Sequence, residues 1–233
     1  MNYFTFDGVD SRCFNTYIAT SNAFDAPSQD VEVITVPGNN NIYYIDNDSY
    51  KPFDLVLYCY VPSDMQNKVD DLRNFLAHKG ICKYVEAIKP DEFRYARFIN
   101  AFEIDVSDRV SAAFKLVFKA QPQRYLFANY PVELTATTND DETPKLNARE
   151  INSAYNGEPI ITALTTGSIY FNGGTINITD APVIINSQTM QCYYGTTNMN
   201  SDVEIYDFPM IKKGVNEIGS TMDITILPNF WTL

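Results

Sequence analysis

Apolar residues recur at every second position in one segment after another, and this periodicity constrains the fold more than any other feature of the chain. Phe114, Leu116 and Phe118 share one side of the run 113–119, and Val31-Glu32-Val33-Ile34-Thr35-Val36 alternates in the same way. Successive side chains of a strand point to opposite faces, so a period of two marks a half-buried strand. The stretches 3–6, 83–88 and 97–106 read likewise, the last through Phe98, Phe102, Ile104 and Val106, and 53–61 is a dense apolar run suited to a buried strand. In the second half, short runs at 168–171, 175–178, 183–185, 190–194, 203–206 and 222–227 follow one another at sandwich-like spacing. The 16 Tyr and 15 Phe against a single Trp favour pleated surfaces over helices. A mainly β protein is expected.

Turn chemistry joins these runs. Pro37-Gly38 suits the centre of a type II turn, which makes 31–46 a hairpin with Asn39-Asn40-Asn41 near its tip. Asn172-Gly173 between alternating runs is the strongest hairpin signal in the chain. One segment departs from the pattern. Val69, Leu72, Phe75 and Leu76 draw a single apolar stripe at helical spacing, which predicts a helix of about four turns lying on a sheet face. Ser63 and Gln66 form a capping-box pattern at its start. Gly80 is placed to end it as a left-handed residue, with His78 and Lys79 near the negative end of the dipole.

The 233 residues suit two domains of roughly 100 to 130 residues. Character changes between 135 and 152, where Thr137-Thr138-Asn139-Asp140-Asp141-Glu142-Thr143-Pro144 reads as a polar loop. The boundary itself is expected slightly earlier, near Asn129-Tyr130-Pro131, giving domains 1–129 and 130–233. A net charge of −12 repels phosphate backbones and argues against specific nucleic-acid binding. No run is basic enough to seek a membrane surface, and no apolar stretch reaches the roughly 18 residues needed to span one. The N-terminus lacks a basic region followed by an apolar one, so synthesis and assembly in a cytoplasm are expected. Cys13, Cys59, Cys82 and Cys192 are scattered, which fits free thiols.

Little here points to catalysis. His78 is the sole imidazole, and its place at the helix end already explains it. One His and four dispersed Cys give no zinc spacing. Asp46-Asn47-Asp48 resembles the start of a calcium-binding loop, but Tyr50, Lys51 and Leu57 occupy positions that need a ligand, a glycine and a glutamate; it reads as a turn. With 29 acidic residues some carboxylates must lie close together, yet none falls in a distinguishing cluster, so a glycoside hydrolase is the least supported reading. No catalytic, cofactor-binding or metal-binding residue is assigned, no cofactor is expected, and the chain is expected not to be an enzyme.

Several stretches, taken in order, carry a resemblance. Phe6-Asp7-Gly8-Val9-Asp10-Ser11-Arg12 is similar to an opening strand followed by G-x-x-S, and Val36-Pro37-Gly38-Asn39 to a V-P-G-R-N-G hairpin tip with Asn in the Arg place. The run from Phe114 to Arg124 resembles a closing F-x-V-x-F-x-x-x-P-Y-R strand, with Gln123 in the Tyr place. Further on come Ile169-Tyr170-Phe171-Asn172-Gly173-Gly174 and then Ile185-Asn186-Ser187-Gln188, where I-D-S-E is usual. Phe208-Pro209-Met210-Ile211-Lys212-Lys213-Gly214-Val215-Asn216-Glu217-Ile218 is similar to F-P-x-L-x-x-G-x-N-x-I, and Ile226-Leu227-Pro228-Asn229-Phe230-Trp231 to a final I-x-P-x-W strand.

Together these resemble the distal tail proteins of siphophages, a phage tail-component family. The resemblance implies an N-terminal, β-sandwich or split-barrel-like ring-forming domain with one helix, and a C-terminal galectin-like β-sandwich. It further implies a virion structural protein at the tail tip or baseplate of a phage or prophage, forming a hexameric ring. Its partners would be other copies of itself, the tail tube protein, a tail-associated tip protein and a receptor-binding protein. The alternative is a carbohydrate-binding adhesion module; Trp231, the one indole that could serve it as a sugar platform, reads instead as core or linker packing on the final strand.

Overall fold

A computed structural model describes residues 2–35, 37–38, 40–99, 103–105, 110–138, 144–145 and 147–233. The chain is mainly β, with one α-helix among the described residues, and it divides into two compact units, 1–124 with Leu233 and 125–232.

In the first unit an antiparallel sheet runs in the order Val9–Asp10, Phe4–Phe6, Cys82–Glu86, Glu92–Phe98, Ala112–Ala120, Phe53–Val61, Tyr17–Ser21. A bridge between Asn2 and Ile18 joins the first-strand segment to the last strand, so the sheet curls back on itself. Its two longest strands pair Phe114 with Cys59, Leu116 with Leu57 and Phe118 with Leu55, all six buried. Period two in the sequence is thus read out as one inward row on each strand. Phe118 sits at the centre of an aromatic cluster, with ring centroids 5.2 Å from Phe6, 5.5 Å from Phe98 and 5.7 Å from Tyr84.

The helix spans Met65–Ala77, and its Val69, Leu72 and Leu76 enter the same core, with Phe75 packed beside them. The stripe is as expected; both ends differ from expectation. The N-cap is Asp64, left-handed at φ 54° and making no side-chain cap bond. Ser63 instead accepts from Asn15 Nδ2 through both its carbonyl and its hydroxyl, at 2.9 and 3.0 Å. A tertiary contact has taken the side chain that a capping box needs. At the other end His78 is the C-cap, exposed to solvent, and Gly80 is not left-handed, so its missing side chain is not what ends the helix. Lys79 pairs with Asp7 in the turn after the first strand, and its ammonium holds that carboxyl below the usual range.

The second unit is a β-sandwich. One sheet runs Val132–Leu134, Ile224–Leu227, Ile160–Ala163, Val183–Asn186, Gln191–Tyr194, Thr197–Asn198; the other runs Asn147–Ser153, Gly214–Ser220, Gly167–Phe171, Gly174–Ile178, Val203–Glu204. Ile161, Val183, Ile185 and Ile226 from the first meet Ile169, Phe171, Ile178 and Ile218 from the second in one apolar core. Asn172 and Gly173 both take positive φ, at 47° and 91°, which is what a two-residue hairpin turn between right-twisted strands requires. The polar stretch 137–144 is partly a small ladder, Thr137–Thr138 against Pro144–Lys145; residues 139–143 of that expected loop lie outside the described residues.

Candidate assembly surface

Hairpins usually bury at least one face. Gln29–Thr35 and Ile42–Tyr50 instead form a two-stranded ribbon that, among the described residues, joins no other sheet. Val33 lies opposite Tyr44, Ile34 opposite Tyr43, and Thr35 opposite Ile42. Because side chains alternate, one face carries Val33, Tyr44 and Ile42, and the other carries Ile34, Tyr43 and Ile45. Every one of these six is more than a third exposed, Tyr44 at 66%. An isolated two-stranded hairpin is marginally stable in water, and one with apolar side chains on both faces gains most by being covered.

The base of the ribbon is pinned. Lys51 Nζ lies 3.1 Å from Asp30 and holds its carboxyl below the usual range, while the Lys51 N–H donates to the Ser28 carbonyl at 2.9 Å. The register slips between Gln29 and Val31. Asp46-Asn47-Asp48, expected as a turn, falls within the longer strand at this irregularity. Gly38 has φ 82°, as a type II turn needs at its third position; Val36 and Asn39 of the proposed tip lie outside the described residues.

A second feature of the first unit faces outward from the sheet. Tyr58, Tyr60, Ala113 and Lys115, on the side away from the core, line a broad shallow recess that Ile104, opposite Phe114, also borders. Tyr58 stands half exposed there.

The chemistry-bearing residues are dispersed. Among the described residues no group of three or more His, Cys, Asp or Glu side chains is arranged to hold a metal ion. All four cysteines are free; Cys13 is exposed and Cys59 and Cys192 are buried. Burial pushes the Cys59 thiol up to about 12, with the Glu86 charge adding to it, and the Cys192 thiol up to about 11. Trp231 lies half-buried in the strand paired with Asn156–Gly157. The fully exposed aromatic of the second unit is Tyr206, beside a recess that also holds Asn172, Asp207 and Lys212. The expected run 203–206 is a strand only at Val203–Glu204, so Tyr206 lies just past it, and alternation could not show that its ring stands in solvent. Among the described residues, no helix is long and apolar enough to cross a membrane.

No protein-family model matches the chain, and no curated protein matches it in sequence. Its fold is similar to a solved structure, that of the Dit protein of phage SPP1, described as a paradigm of the hub adsorption apparatus in phages that infect Gram-positive bacteria. The correspondence covers 100% of both chains with a TM-score of 0.75, at 12% sequence identity.

Proposed function

We propose that this chain is a distal tail protein, a structural component of a long-tailed phage or prophage virion, and that its role is assembly, not catalysis. The observation that carries the reading is the correspondence with the SPP1 protein over the whole of both chains. A match confined to one sandwich would fit many unrelated proteins; one that takes in both units and the single helix is far more restrictive.

The first unit is the ring-forming domain and the second a galectin-like sandwich. Six copies close into a ring at the tail tip, between the tail tube and the tail-associated and receptor-binding proteins. The apolar ribbon supplies the means. It reaches a neighbouring copy and lays one face on the outer surface of that copy's sheet, over the recess at Tyr58 and Ala113. Each copy gives a ribbon and receives one, which is the head-to-tail arrangement that closes rings. Burying these side chains takes the apolar surface of that face out of water.

Sedimentation velocity of the full chain tests this. Val33→Lys with Tyr44→Lys places two charges on one ribbon face, at a directly paired position. The wild type is expected to associate as concentration rises, and the double variant to remain at 26.4 kDa. Equal association of the two proteins excludes the ribbon as the contact.

Tyr206 favours one second reading, carbohydrate capture by the second unit. A proud aromatic ring beside Asn172, Asp207 and Lys212 offers a stacking face with polar neighbours. A glycan array comparing the full chain with Tyr206→Ala separates the readings: binding that disappears in the variant supports adhesion, and no binding leaves the structural role alone.

A further inference from the structure

The ribbon has open edges as well as open faces. Gln29–Thr35 and Ile42–Tyr50 pair with each other and, among the described residues, with no third strand, so each keeps one edge without a strand neighbour. Open edges are normally blunted by lysine, proline, a bulge or extreme shortness. Ile42, Tyr43, Tyr44 and Ile45 bring no charge, proline or glycine to the longer strand, and the register slip falls beyond Asp46. All four are of the β-branched or aromatic types that suit a pleated surface. This edge is fit for pairing.

Charge decides what pairs there. Residues 29–50 include Asp30, Glu32, Asp46 and Asp48 and no lysine or arginine. Lys51, just past the base, pairs with Asp30 at 3.1 Å. The ribbon is thus an acidic element with apolar side chains on both faces. A second ribbon from another copy would set acid beside acid, which cross-strand pairing disfavours. A basic strand meets no such penalty. Side chains of an added strand also alternate between faces, so a single strand covers Tyr44 on one face and Tyr43 and Ile45 on the other. Three strands are, moreover, the fewest from which a small sheet draws stability of its own.

We infer that the edge at 42–46 receives an extended apolar strand, bearing lysine or arginine, from a different protein, and that backbone pairing turns the ribbon into a three-stranded sheet. Main-chain hydrogen bonds hold the strand, and its alternate side chains select it. The edge belongs to a single copy and the ring contact uses a face, so this inference does not depend on the ring.

Fluorescence anisotropy of dye-labelled acetyl-Lys-Val-Ile-Val-Lys-amide, titrated with the full chain at fixed ionic strength, tests it. The controls are the same peptide N-methylated at its central residues, which cannot pair as a strand, and the peptide with glutamate in place of lysine. The lysine peptide is expected to bind at least about tenfold more tightly than either control. Tyr43→Ser with Ile45→Ser, both at exposed positions, is expected to remove that binding. Asp46→Lys is expected to weaken the lysine peptide and strengthen the glutamate peptide, a readout that loss of the ribbon could not produce. Equal binding of the N-methylated peptide, or no binding at millimolar concentration, overturns the inference. Glutamate peptide binding as tightly as the lysine peptide overturns it too. So does binding that Tyr43→Ser with Ile45→Ser leaves unchanged, since the strand then sits at another edge.

Discussion

Replacing Asn216 with leucine is expected to destabilise the second unit severely, and the structure gives the size of the effect. Asn216 is wholly buried. Its Oδ1 accepts from the Lys212 N–H at 2.8 Å and from Asn172 Nδ2 at 2.9 Å. Its Nδ2 donates to the carbonyls of Lys212 at 2.7 Å, Gly214 at 3.1 Å and Ile151 at 3.4 Å. One amide thus ties the 210–214 turn to two strands and to the Asn172 hairpin. Leucine has the same branched shape and is bulkier, so it fills the site and leaves no room for water. Asn172 keeps its contact with the Met210 carbonyl, and the Ile151 bond is long, so neither counts as a full loss. The Lys212 N–H, the Lys212 carbonyl and the Gly214 carbonyl are left without this partner; at about 1–3 kcal/mol per stranded group, the loss falls between about 3 and 9 kcal/mol, toward the lower end because Lys212 is exposed and water can reach its backbone. The single Trp231 lies in this unit, so urea unfolding followed by its fluorescence reads the right transition. The midpoint is expected to fall with the slope unchanged. A loss below about 1 kcal/mol, less than a single stranded group costs, would falsify the assignment of Asn216 as the tie.

Three further outcomes follow from local geometry. A Cβ at Gly157 would lie 2.5 Å from the Pro228 carbonyl oxygen and 3.3 Å from the Phe230 ring, so Gly157→Ala is expected to cost about 1–3 kcal/mol in the same urea assay. Gly80 has open space around it and is not left-handed; Gly80→Ala should be neutral or up to about 1 kcal/mol stabilising, and a clear loss on thermal unfolding would restore the role expected from its sequence position. Maleimide labelling of the native protein at neutral pH, read by peptide mapping, should modify exposed Cys13 and spare Cys59 and Cys192 until denaturant is added, because burial raises both thiols far above neutrality.

The parts of the fold legible in the sequence are those where burial and periodicity coincide. Leu55, Leu57, Cys59 and Val61 alternate inward, and so do Phe114, Leu116 and Phe118; these strands stand where the pattern places them. The expected strand 97–106 is instead Glu92–Phe98 and Glu103–Asp105, with 100–102 and 106 outside the described residues. Arg94 is the reason the earlier start is hidden: a charged residue in an inward position breaks the apolar pattern. Asn147–Ser153 was illegible for a different reason. It is an edge strand with Ile151 as its one large apolar residue, and polar edges are how sheets avoid unwanted pairing. The ribbon at 31–46 was visible as a hairpin, but alternation could not show that both its faces stay open. Only its separation from every other sheet reveals that.

The most direct measurement is electron cryo-microscopy of the full chain at a concentration where it associates. The account predicts a closed ring in which each ribbon, with Val33 and Tyr44 buried, crosses the outer sheet face of the next copy at Tyr58 and Ala113. Monomers at every concentration, or an assembly that leaves both ribbon faces in water, would contradict it.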